Sequence, residues 1–110
     1  MKKLTVFIND QVAYECDREI VLEPEQIAFL DKMDADMDRG VKIQGELITK
    51  PDVKQRAAFI AMNLIKALQQ DNDAAKFVST AYLVSRLHSL VEVRASDQEN
   101  SVNIEFVEEH

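Results

Sequence analysis

The strongest constraint on the fold of this 110-residue chain is a change of hydrophobic period along it. At both ends apolar residues recur at every second position. Leu4, Val6 and Ile8 alternate with Thr5 and Phe7, and Val102, Ile104 and Phe106 alternate with Asn103 and Glu105. That period suits strands with one buried face. Between the ends the spacing changes to three and four, the period of an amphipathic helix. The chain has only two glycines and two prolines, so few residues are available to punctuate short elements, and the middle favours long helices.

The boundaries follow from local chemistry. Asn9-Asp10 separates two alternating runs, and both residue types tolerate the left-handed geometry of a tight turn, which predicts a hairpin over Leu4–Ile8 and Val12–Cys16. Ile20-Val21-Leu22 is expected to extend the second strand after a bend. Pro24 suits a first helical turn, Ile27, Leu30, Met33 and Met37 form one stripe, and Gly40 is a C-terminal stop. The first helix is therefore placed over 24–38. Residues 41–48 read as a loop or a short extended piece.

Pro51 opens a second helix, with Asp52 in its first turn. From Ala57 to Ile65 only Asn63 is not apolar, the pattern of a helix buried on several sides, in a core or in an interface. Asp71-Asn72-Asp73 ends that helix and caps a third, over Ala74 to about Ser89. Leu90–Arg94 and Val102–Val107 form a second hairpin across a polar turn at Ala95–Ser101. The expected fold is a single α+β domain over 1–110, with a small antiparallel sheet built from N- and C-terminal hairpins and packed against about three helices.

Charge narrows the function classes. The net charge is −7, which opposes binding to phosphate backbones, so nucleic-acid binding is not expected. The charge is also segregated. Residues 1–38 carry ten acids and four bases, residues 39–94 nine bases and five acids, and residues 95–110 five acids and no base. The economical reading is that the acidic ends fold over the basic middle. Lys50, Lys54 and Arg56 then serve as a solvated face or as contacts for those ends. The single cysteine, Cys16, cannot form an intramolecular disulfide, and no apolar run is long enough for a signal peptide or a membrane span, so the cytoplasm is the default location.

Few residues present themselves for chemistry. Asp34-Ala35-Asp36-Met37-Asp38 resembles the opening of a calcium loop, making Asp34, Asp36 and Asp38 the candidate metal ligands. The match is incomplete, because Arg39 stands where the loop glycine belongs and Gly45 where the closing glutamate belongs. Acids two apart on a helix also splay by about 200°. Cys16 is in phase with Val12 and Tyr14 and reads as a small buried hydrophobe, and His88 reads as a charge near a helix end. There is no zinc spacing and no phosphate-cradling loop, so no cofactor is expected. The leading expectation is a small non-enzymatic interaction module, with a protein partner or a second copy docking on the apolar second helix through Phe59, Met62 and Ile65. A divalent-metal-responsive module built on residues 34–38 is the first alternative. An enzyme using Cys16, His88 or Tyr82 is the second.

Overall fold

The computed structural model describes residues 3–43, 45–98 and 101–109. Among these the elements run β1 (Lys3–Ile8), β2 (Gln11–Asp17), α1 (Pro24–Met37), β3 (Val41–Ile43), β4 (Glu46–Ile48), α2 (Val53–Gln70), α3 (Asp73–Arg86), β5 (Leu90–Gln98) and β6 (Ser101–Glu108). Four strands form one sheet in the order β2-β1-β5-β6, and β3-β4 is a separate hairpin. The α+β architecture is the expected one. Each terminal pair is antiparallel, but the two hairpins join through a parallel β1–β5 pairing, so the sheet is mixed.

Register explains the core. Val6 lies opposite Tyr14 on one side and Val93 on the other, and Val93 lies opposite Phe106. Ala95 is in turn opposite Ile104. Side chains two apart share a face, so Leu4, Val6, Val93 and Ala95 are buried together, with Tyr14, Cys16, Ile104 and Phe106 at the margins. The helices add Leu30, Ile60, Ala61, Leu64, Tyr82 and Leu83 to the same cluster. On the other face Phe7 and Arg94 are cross-strand neighbours, with the guanidinium 4.2 Å from the ring centroid.

Several boundaries differ from the sequence reading for identifiable reasons. Residues 41–48 contain a three-residue antiparallel ladder, too short to leave a periodic signal. It is entered through Gly40 at φ +129°, where a Cβ would also stand 3.2 Å from Leu47 Cδ1. Pro51 precedes α2 rather than opening it. Asp52 is the N-cap, accepting from Gln55 N at 2.8 Å while its own N–H donates to Gln55 Oε1 at 2.9 Å. Asn72 caps α3 by accepting from Ala75 N at 3.1 Å, and the link from α2 turns through Asp71 at φ 54°.

The third helix ends at Arg86, which leaves His88 exposed beyond it. The stretch from Ala95 to Gln98 continues β5 instead of turning. The rest of the expected turn, at 99–100, lies outside the described residues. Ile20–Leu22 is not strand. Ile20 and Leu22 pack on the core while Val21 points outward. No helix among the described residues is long and apolar enough to cross a membrane.

The centre of this core sets the stability. Leu64→Ala removes a side chain with no solvent exposure and is expected to lower the unfolding free energy by about 2–5 kcal/mol. Val12→Ala, at a position 61% exposed on the sheet edge, is expected to change it by less than ~0.5 kcal/mol. Urea denaturation followed by far-UV circular dichroism checks both.

Candidate functional site

Two features stand out where α1 meets α3. One is a network of charges and the other is an apolar groove.

The network centres on Asp34. The buried stripe of α1 consists of Leu30 and Met37, with Met33 and Asp34 half-buried between them. Asp34 is therefore an acid set into an apolar seam. Its carboxylate accepts from Tyr82 Oη at 2.5 Å, from Arg86 Nε and Nη2 at 3.1 and 2.9 Å, and from Arg56 Nη1 at 3.4 Å. Arg86 Nη2 also reaches Asp31 Oδ1 at 3.0 Å, and its guanidinium stands 5.3 Å from the centroid of the Tyr82 ring. Arg56 pairs in addition with Asp38 and donates through Nε to the Pro51 carbonyl at 3.0 Å. One carboxylate thus ties α1 to both α2 and α3.

Burial disfavours the charge on Asp34. The Tyr82 hydroxyl and the two guanidinium groups outweigh that and hold the carboxyl below its ordinary value. Tyr82 shifts the other way, because burial and then the adjacent carboxylate disfavour a phenolate.

This arrangement decides how the acidic segment is used. Positions 34 and 38 are one helical turn apart and share a face, and both carboxylates meet Arg56. Asp36 lies about 200° away by helical period and is exposed. The helix runs through Met37, so no extended loop wraps a cation here, and a guanidinium lies between Asp34 and Asp38. Among the described residues no group of three or more His, Cys, Asp or Glu side chains is placed to hold a metal ion.

The segregated charges of the sequence find each other in the same way. Lys54 pairs with Glu108 at 3.1 Å, Arg86 with Asp31 and Asp34, and Arg56 with Asp34 and Asp38. The acidic ends do fold over the basic middle. Cys16 faces the sheet's core side, and its thiol is pushed up to about 11, first by burial and then by the charges of Asp17 and Glu15. A thiol in that state is a poor nucleophile at neutral pH.

The groove lies beside the network. Leu22, Phe29, Leu30, Phe77, Val78 and Ala81 line an open apolar depression of about 250 Å³ with Glu25 and Gln26 at its border. Phe29 is 51% exposed and Phe77 42% exposed. Two half-exposed aromatics flanking one depression are costly to leave in water.

The expected interface residues on α2 lie elsewhere. Ile65 is 4% exposed and belongs to the core, Phe59 packs on the core's edge, and Met62 is half-buried. The stretch Ala57–Ile65 of α2 is apolar but for Asn63 because α3, β3 and β6 pack around the helix. Phe77, although it stands beside Val78 in an apolar stretch of α3, is on the surface. Phe29 left one clue, being an aromatic out of phase with the stripe of its own helix. No family model, curated protein or solved structure matches the chain.

The network predicts a pH dependence. A carboxyl held below its ordinary value contributes stability that is fully present above the unfolded-state pKa of about 3.9. That contribution is lost as pH falls further through the folded value. Asp34→Asn removes the charge while keeping the shape. It is expected to cost about 1.5–3 kcal/mol at neutral pH, as for hydrogen bonds to a charged group, and to flatten the acid limb of stability against pH. Urea midpoints of both proteins between pH ~2 and ~7 measure this.

Proposed function

We infer that this protein is a small non-enzymatic accessory module that acts by docking a protein partner in the groove between α1 and α3. The carrying observation is the pair of half-exposed aromatics, Phe29 and Phe77, on either wall of an apolar depression. A core position would enclose such rings, and a purely solvated helix face would carry polar residues there. Support also comes from what surrounds the groove. The strongly hydrogen-bonded side chains nearby, Asp34, Tyr82, Arg56 and Arg86, are saturated by one another, which suits a rigid support for α1 better than a reacting group. A reduced, cytosolic setting accords with the single unpaired Cys16.

The reading keeps the interaction-module expectation and moves its surface from α2 to the α1–α3 groove. It also accounts for the separation of roles along α1. Leu30, Asp34 and Met37 attach the helix, and Phe29 faces outward.

Affinity capture at moderate salt tests it with three baits: the wild type, Phe77→Glu and, as a surface control outside the groove lining, Val12→Glu on β2. The expected result is one stoichiometric partner recovered by the wild type and by Val12→Glu, and lost with Phe77→Glu. The thermal midpoint of Phe77→Glu is expected to stay within a few degrees of the wild type, as for a surface change. Recovery of the same partner by Phe77→Glu overturns the reading, and so does recovery of none by the wild type.

A further inference from the structure

The groove continues past Phe29. A second depression, of about 520 Å³, shares Phe29 and Val78 with the first and is bordered by Lys66. Phe29 therefore stands between two adjoining hollows. The first hollow is lined in part by an acid, Glu25, and the second by a base, Lys66, both exposed. We propose that the occupant is an amphipathic helix of a partner protein that seats one bulky apolar side chain on either side of Phe29, with a cationic residue over Glu25 and an anionic residue over Lys66. This rests on the docking reading above and specifies its partner.

The choice of a helix follows from the walls. Apart from Leu22 and Asn72 they belong to α1, α2 and α3, and no strand lines the groove, so an extended peptide would find no ladder to join. A helix satisfies its own backbone and needs only side-chain hollows. Anchors three, four or seven residues apart fall on one face and can enter two neighbouring hollows.

The choice of charge follows from complementarity. Besides Glu25, α1 exposes Asp31 and Asp36 against a single base, Lys32. A second copy of this chain would bring that acidic helix against itself at a net charge of −7 per copy. A foreign segment with a cation over Glu25 meets no such repulsion, and opposite charges across an interface set its register.

The test uses the full chain and synthetic helical peptides with one shared apolar seam and three end-charge patterns: cation and anion, two cations, and two anions. Binding is read by fluorescence anisotropy and located by backbone amide shifts. The wild type is expected to favour the mixed peptide by about 3–10-fold at low salt, with the preference shrinking at about 0.5 M salt. Glu25→Lys places a base in both hollows and should shift the preference to the two-anion peptide. Lys66→Glu places an acid in both and should shift it to the two-cation peptide. Because each variant matches a like-charged peptide, the outcome does not depend on the direction in which the helix lies.

Equal binding of all three peptides at the groove overturns the charge register and leaves the docking reading standing. Absence of binding by every peptide overturns the helical occupant proposed here, and binding at the groove that survives Phe77→Glu overturns the docking reading as well. A Phe77-dependent dimer in sedimentation assigns the groove to a second copy and overturns the partner proposed here.

Discussion

β1 and β5 run side by side in the same direction, and this pairing governs the rest of the architecture. Antiparallel neighbours can be joined by two residues, whereas parallel neighbours require the chain to travel back along the sheet before it pairs again. The intervening segment supplies that return and contains α1, α2 and α3. The pairing also welds two local hairpins into one sheet with a continuous apolar face. Leu4 and Val6 of the first strand and Val93 and Ala95 of the fifth become a single floor for the helices. Neither hairpin alone would have enough partners to bury its face.

On that floor the helices are held differently. α2 is packed by α3, β3 and β6, which accounts for the apolar run Ala57–Met62 at its centre. α1 instead attaches through Leu30 and Met37 with the Asp34 network between them. An acid in the seam of a helix is expensive to bury unless its partners are built for it. Here a phenol and two guanidinium groups are, and they come from two other helices, so the contact also fixes where α1 sits. Apolar contacts tolerate sliding, and a carboxylate shared among three donors does not. The position of Phe29 beside the groove it lines, and with it the groove's shape, follows from that anchoring.

Most of the fold was legible because its signals are local. The alternation at Leu4–Ile8 and Val102–Phe106, the turn at Asn9-Asp10 and the caps around Asp71-Asn72 each act within a few residues, and each is found in place. The β3–β4 ladder was not, since three residues a side carry no measurable period. The far half of β5 was missed because Ser96, Asp97 and Gln98 are as polar as a turn. The site was less legible still. Asp34 finds its partners 22, 48 and 52 residues away, and no local rule couples them. The acids at alternate positions beside it resemble the opening of a calcium loop, whereas its partners in the structure are Tyr82, Arg56 and Arg86. Phe77 shows the same limit, because apolar neighbours in sequence did not reveal which wall of α3 would be left open.

The sheet order has a consequence for how the chain is made. β1 and β2 are translated before β5 and can pair at once, but the other edge of β1 waits for Glu92–Ala95. At about 5–20 residues per second those partners leave the ribosome several seconds later. Throughout that interval the apolar side of the first hairpin is without its neighbouring strand, while α2 and α3, adjacent in sequence, are already able to pack together. β1 is thus paired on one side well before the other. Until β5 arrives, Leu4 and Val6, which have no solvent exposure in the finished molecule, lack the strand that completes their cover.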